Sequence, residues 1–126
     1  MCQMQKAAKT RCSNTLTESQ YWSMIRSHLR QLSLRWIPRS EHLIDVRKTN
    51  TGQYDKRIKF IYQCEQCTLW FPRKMVEADH RVECGSLRSA ADVPGFIERL
   101  LVEKDGWRCL CKACHQSRTR ASRRKK

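Results

Sequence analysis

The sequence predicts a small α+β fold whose core is completed by clustered cysteines. Two pairs of cysteines have the C-x2-C spacing of metal-binding turns, at Cys64/Cys67 and Cys111/Cys114. Apolar residues recur at helical spacing after Thr17, and the segment 57–63 is rich in β-branched and aromatic residues. Leu, Ile, Val and Phe together make up only 24 of the 126 residues. Because so little aliphatic mass cannot build an ordinary core, a bound metal is expected to stabilise the fold.

Composition limits the class of protein. The length is that of one domain with tails, and no apolar run approaches the roughly 20 residues that span a bilayer. The first residues lack the apolar stretch of a secretory signal. Disulfide knottins, membrane proteins and large multidomain enzymes are therefore disfavoured. The expected protein is small and basic, and belongs to a reducing compartment such as the cytoplasm.

Charge is unevenly distributed along the chain. The sequence has 26 Lys and Arg against 12 Asp and Glu, yet residues 77–105 carry a net charge of −3. The remainder is strongly basic and favours a nucleic acid as partner, bound mainly through its phosphate backbone. The tail, 120–126, continues a basic run that starts at Arg118 and is interpreted as a flexible nucleic-acid-binding arm, with a purely solubilising tail as the alternative.

The N-terminal part predicts a disordered basic segment followed by a helix. Residues 1–16 lack periodicity, and Cys2 and Cys12 are expected to be free thiols. A capping box at Thr17–Gln20 predicts the start of the helix, and Pro38 its end. The region 17–56 is interpreted as a helical extension and linker. One apolar face is expected at Trp22, Ile25, Leu29, Leu32 and Trp36.

Two further features of the helical segments are open to interpretation. Arg26 and Arg30 lie beside the apolar face of the first helix, so this helix either follows a DNA backbone or simply carries solvated arginines. A second short amphipathic helix is predicted over 92–101, with Asp92 as its N-cap and Pro94 in its first turn.

The two cysteine pairs predict a structural zinc site. Two thiolates three residues apart reach one tetrahedral Zn²⁺, and two such turns supply all four ligands: Cys64, Cys67, Cys111 and Cys114. A disulfide within each pair is the redox alternative, and Cys109 is an alternative ligand. Trp70 and Phe71 are expected to pack beneath this site, with base stacking as the alternative.

A second set of residues, Asp79, His80 and His115, suits chemistry at a divalent cation. In an extended segment Asp79 and His80 point to opposite faces, so one face can hold a metal and the other a substrate. His115 follows Cys114 directly and is expected to return to Asp79 when the cysteines close on zinc. A carboxylate and an imidazole suit a divalent ion with open positions, and the ordinary pKa of a histidine such as His80 suits proton transfer from water.

These residues resemble the HNH endonucleases, most closely the small zinc-containing type encoded by bacteriophages. The resemblance covers YQCEQCTLWFPRKMVEADH and LCKACHQSRT, within roughly Phe60 to Thr119. It implies a ββα-metal (His-Me finger) domain over 57–119 and a hydrolase that cleaves DNA phosphodiester bonds. By the resemblance His80 is the general base, and Asp79 with His115 holds a catalytic Mg²⁺ or similar cation.

Two departures from the family pattern bear on activity. The family's middle asparagine, which orients the catalytic histidine, corresponds to Gly106, and Thr119 stands where some members have a further histidine ligand. Asp105 or a backbone carbonyl is expected to orient His80 instead. The alternative is a DNA-binding protein that keeps the zinc-stabilised fold and has weakened or lost cleavage, with a regulatory or packaging role.

Overall fold

The computed structural model describes residues 6–124, with side chains described through residue 120. Over these residues the chain is α+β, as predicted, with four α-helices and three small antiparallel sheets. It divides into two compact units. The helical unit contains the chain up to Leu34 and Cys84–Leu101, and the sheet unit contains Arg35–Glu83 and the chain from Val102 onward. This division differs from the predicted boundaries, because residues 84–101, predicted to be part of the 57–119 domain, belong to the helical unit.

The helical unit begins with a hairpin where the sequence predicts disorder. Strands β1 (Lys9–Arg11) and β2 (Leu16–Thr17) pair antiparallel. An ion pair between Arg11 and Glu18, 2.8 Å long, ties the hairpin to the following helix. Cys12 is exposed and free, as predicted, whereas Cys2 lies outside the described residues. This ion pair joins side chains seven residues apart, a contact that no periodic pattern in the sequence indicates.

Helix α1 (Glu18–Leu34) starts at the predicted capping box. The Thr17 hydroxyl accepts a hydrogen bond from the Gln20 amide at 3.1 Å, and the Gln20 side chain accepts one from the Thr17 amide at 2.9 Å. Two of the amides that a helix N-terminus leaves unpaired are thereby satisfied. The prediction that a helix starts near Thr17 with a capping box is confirmed.

The core of the helical unit joins α1 to helix α3 (Val93–Leu100). Trp22, Phe96 and Leu100 are buried there, with Ile25 and Leu29 packed against them. Leu32, predicted on the same face, is instead exposed. The predicted α3 is present, but the Asp92 side chain makes no cap hydrogen bond to it. Its carboxylate accepts the Arg88 amide at 2.9 Å and so closes the turn before the helix.

A break separates α1 from helix α2 (Ile37–Asp45), so the predicted continuation of the apolar face to Trp36 is wrong. Pro38 does not end a helix but lies in the first turn of α2, where its missing N–H costs no hydrogen bond. Trp36 precedes α2, and its indole N–H donates to the Val102 carbonyl at 2.7 Å.

The sheet unit contains one three-stranded and one two-stranded sheet. Strands β3 (Arg47–Thr49), β4 (Phe60–Gln63) and β5 (Trp70–Pro72) form the first, so the predicted linker contains a strand. Strands β6 (Val76–His80) and β7 (Trp107–Cys111) form the second. Leu43, Tyr62, Val76 and Cys109 make a core between α2 and the sheets.

Helix α4 (Lys112–Arg124) follows β7 without a loop. It extends through most of the tail for which a flexible arm is predicted, while Lys125 and Lys126 lie outside the described residues. Across the described residues, no helix combines the length and the apolar character needed to cross a membrane.

Candidate functional site

Four cysteines meet at one point of the sheet unit. Cys64 and Cys67 lie in the turn between β4 and β5, Cys111 ends β7, and Cys114 lies in the first turn of α4. Their sulfur atoms all lie within 4.8 Å of one another, and the Sγ atoms of Cys67 and Cys111 are 3.9 Å apart. Four thiolates about 2.3 Å from one tetrahedral zinc ion are about 3.8 Å apart, so this set fits Zn²⁺. The predicted four-cysteine cluster is confirmed as a site that can hold the ion.

The backbone of the first cysteine turn is shaped around Cys64. The Thr68 amide donates to the Cys64 carbonyl at 2.9 Å, and the Cys67 amide points at the Cys64 sulfur at 3.5 Å. Thr68 has a φ of 64°, a left-handed conformation that turns the chain back into β5. Although burial acts in the opposite direction, hydrogen bonds from backbone amides, including that of Cys67, lower the pKa of the Cys64 thiol to about 7.

Cys109 of the sheet unit and Cys84 of the helical unit are not part of this cluster. Cys109 points into the core with Leu43 and Tyr62, and burial raises the pKa of its thiol to about 12. Cys84 is buried in the core of the helical unit. The described residues therefore favour the four predicted ligands over the alternative that uses Cys109.

The predicted aromatic support of the cysteine cluster is only half present. Phe71 packs against Cys64, Leu110 and Cys111. Trp70 instead lies under the Lys48 ammonium, 4.0 Å from the centre of its ring. Phe71 is therefore a packing residue of the cysteine cluster, whereas the Trp70 ring contacts the Lys48 side chain.

A second cluster forms where α4 crosses the face of β6. The Nε2 atom of His115 is 3.9 Å from the Oδ1 atom of Asp79, so the structure brings together two of the predicted catalytic residues. An ion about 2.1 Å from each atom can bridge such a gap, and a carboxylate with an imidazole is a usual donor pair for a divalent cation. Asp79 and His115 therefore have the donor types and the spacing that a divalent cation can bridge.

Glu77 is a member of this cluster that the sequence interpretation missed. It lies two residues before Asp79, on the same face of β6, and its Oε2 atom is 3.1 Å from Nδ1 of His115. A carboxylate only accepts, so the Nδ1–H donates to Glu77. In the neutral tautomer that this hydrogen bond selects, the lone pair is on Nε2, towards Asp79. A carboxylate behind a histidine in this way orients it as a metal ligand. The alternation of Glu77 and Asp79 along a strand is the sequence signal that could have identified Glu77.

Arg118 is the second residue that the sequence did not single out. It lies one turn after His115 on α4, and its Nη1 atom is 2.7 Å from Oδ2 of Asp79 and 3.1 Å from the His80 carbonyl. Its Nη2 atom reaches the Arg81 carbonyl at 3.3 Å. Arg118 therefore holds the end of β6 against α4 and leaves the other carboxylate oxygen of Asp79 facing His115. In the sequence Arg118 is one of several clustered basic residues, so nothing there distinguishes it as a partner of Asp79.

Arg108 completes the surroundings of Asp79. The two residues are direct cross-strand partners between β6 and β7. The Nε atom of Arg108 is buried and has no hydrogen-bond partner among the described residues. A cationic side chain with an unused donor thus lies beside the carboxylate of the candidate site.

His80 lies on the opposite face of β6 from Asp79, as the alternation along a strand predicts. Its cross-strand partner is Trp107, and the two rings lie 4.0 Å apart at a tilt of 38°. The buried indole fixes one side of the imidazole. His80 is therefore held at the end of the strand, next to Asp79 in the chain but on the other face of β6.

The predicted partners of His80 before β7 are engaged with Arg81. The Arg81 guanidinium donates to the Asp105 carbonyl at 3.0 Å, and the Arg81 amide donates to the Gly106 carbonyl at 2.9 Å. Asp105 is exposed. A direct contact between its carboxylate and His80 stays a prediction.

Gly106 has a steric reason to lack a side chain. A Cβ atom built on it would lie 2.5 Å from Cγ2 and 2.8 Å from Cβ of Val102. The asparagine of the family pattern therefore does not fit without movement of Val102. We expect Gly106→Ala to lower the free energy of unfolding by about 1–3 kcal/mol, the usual cost of overpacking, measured by urea denaturation.

The Gly106 prediction has an internal control. In a Val102→Ala background, which removes the nearer atom, the cost of Gly106→Ala should be smaller. Equal costs in both backgrounds would show that Val102 is not the cause.

Comparisons with protein-family models, with curated proteins and with solved structures give no significant match.

Proposed function

We propose that this protein is a metal-dependent DNA endonuclease of the HNH type with a structural zinc. The observation that carries the proposal is the 3.9 Å approach of His115 to Asp79, with Glu77 behind the histidine and His80 next in the strand. The succession of β6, β7 and α4 supports the finer assignment of a ββα-metal core. The net charge of +14 suits a polyanionic substrate such as DNA.

Asp79 and His115 are the proposed ligands of a divalent cation such as Mg²⁺. When bound, the cation supplies Lewis acidity at the scissile phosphate and at the departing 3′ oxygen. Glu77 holds the His115 imidazole in the tautomer whose lone pair faces Asp79. Arg118 orients the Asp79 carboxylate through its other oxygen.

His80 is the proposed general base. It takes a proton from the water that attacks phosphorus while the bond from phosphorus to the 3′ oxygen breaks. The ring of Trp107 limits the orientations that the imidazole can take. Such preorganisation lowers the cost of placing the base within reach of the water. The cysteine cluster keeps Cys114, and with it the adjacent His115, in place beside β6.

A second candidate function is DNA binding without cleavage. Gly106 offers no side chain to orient His80, and Arg118 already neutralises one oxygen of Asp79. Both observations favour a protein that keeps the fold and the zinc but not the nuclease. In that case it would act as a regulator or a packaging accessory.

The deciding experiment incubates the zinc-loaded protein with supercoiled plasmid and Mg²⁺, Mn²⁺ or Ni²⁺. We expect nicking that EDTA stops and that excess Mg²⁺ restores, with the zinc content measured before and after. Glu77→Gln should slow nicking about 10- to 100-fold, because the orientation of His115 is lost. Glu98→Gln removes the same charge from the exposed surface of α3 and should leave the rate unchanged.

The two candidate functions give opposite outcomes in this experiment. Plasmid that stays supercoiled with every cation, although the protein retains DNA in a salt-sensitive manner, would establish the binding protein and reject the nuclease. Nicking that Glu77→Gln and Glu98→Gln change equally would reject the assigned role of Glu77.

A further inference from the structure

A basic groove lies on α1, within the helical unit and among residues that the proposed catalytic site does not use. Four residues at helical spacing line it: Ser23, Arg26, Ser27 and Arg30. The groove is shallow and wide open to solvent, and all of its lining residues belong to this one helix. It is lined by two guanidinium groups and two hydroxyls, and by no acidic residue.

Arg26 is held in the groove by contacts with residues of the helical unit. Its guanidinium lies 5.9 Å from the ring centre of the fully buried Phe96, and its Nη2 atom is 3.5 Å from the Gly85 carbonyl. Its Nε atom is buried and has no hydrogen-bond partner among the described residues. The contacts with Phe96 and Gly85 thus fix the position of the Arg26 guanidinium at the side of α1.

The local charge also favours an anion. Burial, and then the charges of Arg30 and Arg88, lower the pKa of Arg26. Cations that repel one another are relieved by a bound anion placed between them. Guanidinium groups match the oxygens of a phosphate in paired hydrogen bonds, and serine hydroxyls add neutral donors at the same oxygens.

We propose that this groove binds one backbone phosphate of DNA, as a contact separate from the catalytic site. The proposal rests on DNA being the substrate or partner, as in the proposed function, and adds to it a named contact on α1. Contacts to phosphates carry no sequence information, so the groove is expected to strengthen binding to all sequences alike.

The test measures the affinity of the full, zinc-loaded chain for short duplexes over a range of salt concentrations. Each phosphate contact contributes about −0.9 to the slope of log affinity against log salt. The single variants Arg30→Gln and Arg26→Gln should each weaken binding to two unrelated duplexes equally. Each should also make the slope shallower by about 0.9. Arg30 is exposed, so its replacement leaves the core of the helical unit intact.

Arg35→Gln is the matched control, because it removes the same charge from an exposed position outside the groove. An equal change of slope in Arg35→Gln and Arg30→Gln would overturn the proposal. The proposal would also be overturned by a groove variant that keeps its affinity for DNA but loses binding to anionic phospholipid vesicles or to a polyglutamate peptide.

Failure of this inference is distinct from failure of the nuclease proposal. A protein that nicks plasmid but whose salt slope is unaffected by Arg30→Gln would retain the nuclease and reject the groove. A protein that never nicks but shows the expected change of slope would retain the groove as a site of DNA binding.

Discussion

Cys111→Ser is expected to release the zinc and to unfold the sheet unit. The four sulfur atoms lie within 4.8 Å of one another, so loss of one leaves three thiolates and an incomplete tetrahedron. Binding of a structural zinc contributes on the order of 10 kcal/mol of apparent folding free energy, comparable to the whole stability of a small domain. The measurements are the zinc content of the purified protein and its circular dichroism. The expected zinc content falls from about one per chain to near zero.

Two other cysteines provide controls for this prediction. Cys12→Ser, at an exposed position of the N-terminal hairpin, should leave zinc and fold unchanged. Cys109→Ser alters a buried thiol beside the cluster and should lower stability while the folded protein keeps its zinc. Retention of zinc by Cys111→Ser, or its loss from folded Cys109→Ser, would assign the ligands differently.

His80→Ala is expected to abolish nicking of supercoiled plasmid while binding to DNA survives. If His80 is the base that takes the proton from water, its removal costs the contribution of general base catalysis, typically 10²- to 10⁴-fold. The stability should fall only modestly, because the Trp107 ring loses one aromatic neighbour. The rate of nicking and the affinity for a short duplex are measured on the same preparation.

His28→Ala is the matched control for the His80 variant. His28 is exposed on α1, where its Nδ1 atom contacts the Met24 carbonyl of the same helix at 2.9 Å. It should nick at the rate of the unaltered protein. Residual nicking by His80→Ala at the rate of His28→Ala would exclude His80 as the base.

Features governed by neighbouring residues could be predicted from the sequence. The capping box at Thr17 and Gln20 fixes the start of α1 through two local hydrogen bonds. The C-x2-C spacing constrains each cysteine pair to one turn, so the cluster follows once the two turns meet. The α3 helix follows the apolar periodicity of residues 93–100.

Predictions failed where a local signal allowed two outcomes. Pro38 was expected to end a helix, but proline is equally accommodated in the first turn of a new one, and α2 begins there. Asp92 was expected to cap α3, yet its carboxylate is used by the Arg88 amide instead. In both cases the sequence contains a residue suited to a turn, but the residue type alone does not determine which turn it forms.

Residue types and spacings alone indicate the cysteine ligands, the alternation of Asp79 and His80 across a strand, and the basic character of the chain. The contacts of Glu77 with His115 and of Arg118 with Asp79 depend on the pairing of β6 with β7 and on the packing of α4. These partners are separated by up to 39 positions along the chain for Arg118 and Asp79. Because such distances are closed by strand register and helix packing, no local pattern records them, and they appear only once the chain has folded.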